Sequence, residues 1–162
     1  MVIQSLCTDD CIGEVVNEYS NMVFQLALAH MKSKHDAEDV TQEVFLRYIS
    51  KSRVFESEEH RRNWLIRVTI NRCNSLWTTW FRKTEPLDES MSFEIKEHND
   101  LRDYLTLLPP KYRTVIHLFY FEELSTKQIS DIVNLKESTV RTWLTRARAI
   151  LRDKLKGDYF NE

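Results

Sequence analysis

The 162-residue sequence contains only 2 glycines and 3 prolines. That is too few turn-formers for a β-rich fold with many tight connections. Two glycines also cannot build a glycine-rich phosphate loop. The 3 cysteines are an odd number, which fits reduced thiols in a cytosol rather than a disulfide framework. No apolar run approaches the roughly 20 residues that span a bilayer. The opening "MVIQSLCTDD" has no basic stretch and no long apolar core, so no secretion signal is expected. Glu-x-x-His, the spacing used by carboxylate-bridged metal sites in helical bundles, occurs nowhere. Glu38, Asp39 and Glu43 therefore lack the partners for such a site. Cys7 and Cys11 stand a helical turn apart with no further ligands nearby. No metal, cofactor or catalytic chemistry is expected.

Charge is present in quantity but unevenly spread. Charged residues make up 30% of the chain and hydrophobic ones 42%, which suits helices with wet outer faces around a core. Residues 1–83 carry 11 basic and 11 acidic side chains. Residues 84–100 carry 1 basic and 6 acidic, and residues 101–162 carry 11 basic and 8 acidic. The overall charge of −2 thus conceals an acidic middle and a basic C-terminal third. The stretch from His60 to Lys83 has no acidic residue at all.

Hydrophobic periodicity predicts an all-α protein. Val15, Val16, Tyr19, Met22, Val23, Leu26 and Ala27 recur at helical spacing. Asp36 suits the N-cap of a second helix to about Ile49, with Ala37, Val40, Val44, Phe45 and Tyr48 inward and Glu38, Asp39, Gln42 and Glu43 outward. "SRVFESEEH" reads as a connector. A third helix follows to about Trp80, with Trp64, Leu65, Val68 and Leu76 on its buried side. The expected organisation is two small helical domains, 1–83 and 101–162, joined by an acidic flexible linker at 84–100.

In the second domain, Pro109 and Pro110 end a helix at "LRDYLTLL" and suit the first turn of the next. "KYRTVIHLFYF" should be a buried helix. Ser125 and Gln128 form a capping box in sequence, with Ile129, Ile132 and Val133 as an inner stripe. Asn134 can take the left-handed conformation in the turn "NLK". The helix "ESTVRTWLTRARAIL" then puts Val140, Trp143, Leu144, Ala147, Ile150 and Leu151 on one face at about 100° per residue. Ser138, Arg141, Thr142, Thr145, Arg146 and Ala149 fall opposite. Alone, that polar face is either a solvated surface or a reader of DNA. A capped short helix, a three-residue turn and a basic helix together make a helix-turn-helix, whose second helix enters the major groove.

"DAEDVTQEVFLRYI" followed by "NWLIRVTINRCNSL" resembles the core segment of bacterial RNA polymerase sigma factors. "LPPKYRTVIHLFYFEELSTKQISDIVNLKESTVRTWLTRARAIL" resembles their C-terminal helix-turn-helix domain. With two domains and a short linker, the chain resembles the extracytoplasmic-function (ECF) group. The resemblance implies a subunit that binds core RNA polymerase, directs it to promoters through the −10 and −35 elements, and promotes melting. It implies that the first domain meets the β′ clamp helices through Asp39, Gln42 and Glu43. Phe55, Arg61, Arg62, Arg67, Asn71 and Arg72 would face the −10 element, the arginines on phosphates and Asn71 on a base. The family's base-cradling loop maps to residues 55–62, which here are acidic and lack glycine. Ser138, Thr139, Arg141, Thr142, Thr145 and Arg146 would read the −35 element, and the second domain would also meet the β flap. An anti-sigma factor is an expected partner.

Trp64 reads as core. Trp77 and Trp80 either stack on unpaired bases or pack between helices. The linker is either an anionic strand lying in a nucleic-acid channel or a plain spacer. A stand-alone helix-turn-helix regulator is the main alternative for the whole chain, and it leaves the first domain unexplained.

Overall fold

The computed structural model describes residues 9–31, 33–51, 54–83, 104–105 and 107–159. Cys7, the side chains of Cys11, Trp77 and Trp80, and the acidic stretch at 84–100 lie outside the described residues. The chain divides into two compact units, Met1–Leu76 and Trp77–Glu162. Helices α1 (Asp9–His30), α2 (Lys34–Ser50) and α3 (Glu58–Lys83) come first. α4 (Pro110–Ile116), a π-helical turn (His117–Phe121), α5 (Thr126–Val133) and α6 (Glu137–Tyr159) follow. No strand occurs among the described residues, as the all-α expectation requires. No helix among them is long and apolar enough to cross a membrane.

The first unit buries the stripe that periodicity marked on α2 and most of that on α1, where Val16 and Met22 are half-buried. Val23, Leu26, Ala27, Ala37, Val40 and Val44 are almost fully enclosed. Ser33, not Asp36, caps α2. Its hydroxyl accepts from the Asp36 backbone N–H at 3.1 Å and donates to the Asp36 carboxylate at 2.6 Å. Asp36 sits in the first turn, where its charge suits the positive end of the helix. The buried stripe of α3 also differs from expectation. Trp64 and Leu65 are buried, but Ile66, Thr69, Ile70 and Cys73 complete the stripe, while Val68 and Leu76 are half-exposed. Thr69 is tolerated there because its hydroxyl donates to the Leu65 carbonyl at 2.7 Å. Burial pushes the Cys73 thiol up to about 12, so it is an inert core group.

In the second unit, Pro109 and Pro110 begin α4 as predicted. The segment before them is held by Arg113. Its guanidinium is buried and donates to the carbonyls of Leu105 at 2.9 Å and Leu108 at 2.8 Å. The expected single helix over "KYRTVIHLFYF" is instead α4 followed by the π-helical turn. The wider turn leaves Tyr120 51% exposed and leads into Glu123 at φ 53°. α5 then opens with the predicted capping box, since Ser125 Oγ accepts from the Gln128 N–H and Gln128 Oε1 accepts from the Ser125 N–H. Asn134 closes it in the left-handed conformation at φ 55°, ψ 48°. Ile129, Ile132, Val140, Leu144 and Ala147 join the two helices through buried apolar contact.

Candidate nucleic-acid and protein interfaces

α6 separates its two faces as its sequence predicts. Val140, Leu144, Ala147 and Leu151 are buried, and Trp143 and Ile150 are half-buried. Ser138, Arg141, Thr142, Thr145, Arg146 and Ala149 are all exposed, and Thr139 is intermediate. The two threonine hydroxyls turn back on the helix: Thr142 donates to the Ser138 carbonyl at 2.9 Å and Thr145 to the Arg141 carbonyl at 3.0 Å. Each therefore keeps its acceptor lone pairs and its methyl group for an incoming surface. Arg141 is held by Glu137 at 2.8 Å, whereas Arg146 makes no ion pair among the described residues. Arg148 is engaged within the domain. Its Nε donates to the Tyr120 hydroxyl at 2.7 Å, and the guanidinium lies 5.4 Å from the Phe119 ring centre.

α3 divides the residues that the resemblance assigns to one element. Arg67 and Asn71 are exposed on one ridge, and Asn74 and Thr78 continue it at i+7 and i+11 from Arg67. Asn74 and Thr78 were missed in the sequence, although that spacing marks a shared helix face. Arg61, Arg62 and Arg72 are half-buried instead. Arg61 pairs with Glu58, and Arg72 Nε lies 2.6 Å from Glu43 of α2. The expected loop at 55–62 is mostly helix, because Ser57 Oγ accepts the His60 N–H at 3.1 Å and α3 begins at Glu58. Phe55 is packed in an aromatic cluster, stacked on Tyr48 at 5.9 Å and edge-on to Trp64 at 5.8 Å. Glu58 is also tied to α1, since the buried Tyr19 hydroxyl donates to it at 2.8 Å. That bond holds the Glu58 carboxyl below its ordinary value, and burial first, then Glu58, pushes Tyr19 up to about 12.

The outer face of α2 mixes charge with apolar surface. The Asp39 side chain is 60% exposed and lies 3.5 Å from His35. Gln42 is exposed, and it shares a 460 Å³ groove with Ser20, Asn21, Phe24, Lys34, Glu38 and Thr41. Glu43 is the least open of the three, flanked by Arg72 and by Arg47 at 3.2 Å. One and two turns on, Leu46 is 65% exposed and Ile49 48% exposed. Their lack of an inward position on the helical wheel was the available signal.

Residues 15–82 match the family described as Sigma-70 region 2, and residues 98–151 match Sigma-70, region 4. The ECF RNA polymerase sigma factor SigW of Bacillus subtilis is 29% identical over 170 residues, covering 91% of this chain and 90% of that protein. The ECF RNA polymerase sigma factor SigM of the same organism is 30% identical over 155 residues, covering 87% and 93%. The sigma factor RpoE of Bartonella quintana, solved in complex with the anti-sigma factor NepR, shares the fold at a TM-score of 0.74 and 19% identity, over 92% of this chain and 98% of that one. Two sigma regions in order, the fold and full-length relatives agree: this chain belongs to the ECF RNA polymerase sigma factors, which direct promoter-specific transcription initiation.

Proposed function

We propose that three separate surfaces divide the work of initiation. Residues 101–162 form the domain that reads the −35 element, with α6 in the major groove and Ser138, Thr139, Arg141, Thr142, Thr145 and Arg146 toward the bases. The carrying observation is that these six positions of α6, five exposed and Thr139 intermediate, follow directly on a capped α5 and a left-handed turn at Asn134. That geometry is the one by which a recognition helix presents its first turns to base edges. Residues 1–83 form the domain that binds polymerase and the −10 element. Asp39, Gln42 and Glu43, extended by Leu46 and Ile49, face the β′ clamp helices. Exposed large apolar groups beside carboxylates suit an interface better than a solvated face.

On α3, Arg67 and Asn71 meet the −10 element directly. Arg61, Arg62 and Arg72 act from the side of the helix, and Phe55, whose ring centre lies 5.5 Å from the Arg61 guanidinium, supports that arginine. Residues 84–100 act as the linker, and the second domain also meets the β flap. The protein acts in the cytoplasm without catalysis of its own, and an anti-sigma factor holds it in check. Run-off transcription with purified core polymerase on genomic fragments tests this reading. Defined transcripts that need this chain support it. Core polymerase that gains no promoter selectivity from the chain contradicts it.

A further inference from the structure

Glu137 stands where the recognition helix begins, and its contacts reach in two directions. Its Oε1 accepts from the Thr126 hydroxyl of α5 at 2.8 Å. The same oxygen accepts from Arg141 Nη2 one turn along α6, also at 2.8 Å. The carboxylate is thus located by the preceding helix and in turn locates the arginine. It stands in the first turn of α6.

The consequence lies in what Arg141 still offers. A guanidinium has five N–H donors, and this contact uses one. The side chain remains 66% exposed, so a two-pronged approach to a base stays open. A free arginine loses much rotamer freedom when it grips a base, while a braced one has lost part of it already. Arg146 has no comparable brace among the described residues, so it has more rotamer freedom to lose on contact. Two arginines of one helix therefore differ in preorganisation, and Glu137 makes the difference.

We infer that Glu137 is a positioning residue for promoter specificity: anchored by Thr126, it aims Arg141 at one −35 base pair. This rests on α6 being the −35 reader. The test measures base preference of reconstituted holoenzyme on a −35 library for wild type, Glu137→Ala, Glu137→Gln, Arg141→Ala and Glu137→Ala/Arg141→Ala. Circular dichroism and core binding verify that each variant is folded. Glu137→Ala should cut discrimination roughly 3- to 10-fold, the value of one immobilised side chain, at the position that Arg141→Ala relaxes. Discrimination at other positions should hold. In the Arg141→Ala background, Glu137→Ala should change nothing further, because its only route to the base is gone. Glu137→Gln keeps an acceptor oxygen for Thr126 and should fall between wild type and alanine.

Three outcomes overturn the inference. A uniform loss across all bases that persists without Arg141 makes Glu137 a brace of the turn only. A new relaxation without Arg141 makes Glu137 a direct reader, as a carboxylate accepting from cytosine would be. No effect of Glu137→Ala, with Arg141→Ala relaxing one position, removes Glu137 from recognition altogether. If Arg141→Ala itself leaves base preference untouched, the −35 reading of α6 fails first.

Discussion

Arg72 Nε lies 2.6 Å from a carboxylate oxygen of Glu43, joining α3 to α2. The other carboxylate oxygen lies 3.2 Å from Arg47. A residue assigned to polymerase contact and a residue assigned to DNA thus neutralise each other within one unit. Both are about two-thirds buried, so the pair should contribute about 0.5–1 kcal/mol, at the upper end for exposed ion pairs. A double-mutant cycle of Glu43→Ala and Arg72→Ala, read by urea denaturation, should return a coupling energy of that size. A coupling near zero would mean that the two side chains merely lie close.

Asp39 should act on binding and not on folding. Its side chain is 60% exposed and its neighbour His35 is more exposed still. Asp39→Lys should therefore leave the unfolding free energy, read by urea denaturation, within about 0.5 kcal/mol of wild type. Affinity for core polymerase should fall, most visibly at low salt, where surface charges are least screened. A folded variant that binds core as tightly as wild type shows that the contact surface lies elsewhere.

Asn71 is exposed between Arg67 and Asn74 on the α3 ridge. Asn71→Ala should reduce discrimination among single-base −10 variants while leaving −35 binding unchanged, since contacts to bases specify and contacts to phosphates position. Open-complex formation on a −10 series measures it. Equal loss at every −10 base would reassign Asn71 to the backbone.

Tyr19 and Glu58 tie α1 to the start of α3 through a 2.8 Å bond. Tyr19 is pushed up to about 12 in the fold, above its ordinary 10, so its stabilising proton is fully held below pH 10 and lost as pH rises from there toward 12. Glu58 is held low, so its contribution is present above the ordinary carboxylate range and lost as pH falls through its lowered value. Tyr19→Phe should cost about 1 kcal/mol at neutral pH, since the acceptor is partly exposed. It should also flatten the fall in stability between pH 10 and 12. Thermal melts of both proteins across that range check it, and an unchanged alkaline slope would show that Tyr19 titrates alike in the folded and unfolded chain.

The sequence was most legible where one helix carries two chemically opposed faces. On α6 every outward residue named from the wheel is exposed, because its polar and apolar positions do not mix. α3 was harder. Thr69 is polar and Cys73 weakly so, yet both are buried, and the arginines that look alike in sequence separate by burial. That separation depends on Glu43 and Glu58, which sit 29 and 3 positions away from their respective partners Arg72 and Arg61. The cap of α2 is ambiguous in sequence because Ser33 and Asp36 are both good capping residues, and only their mutual hydrogen bonds decide which stands outside the helix. The π-helical turn has no signature in "HLFYF" beyond its bulk.

On the proposed reading, this sigma factor reads promoter sequence through the outer face of α6. The direct measurement is holoenzyme binding to a −35 library at two salt concentrations, for wild type, Arg146→Ala and Arg152→Ala. Arg146→Ala should relax preference at one or two −35 positions and cost roughly 1–3 kcal/mol at the preferred base if its contact is bidentate to guanine. Arg152→Ala, further along the helix, should weaken binding evenly across sequences, with an effect that fades at high salt as released counterions dictate. An Arg146→Ala holoenzyme with wild-type base preference at both salt concentrations would mean that the outer face of α6 does not read the −35 element.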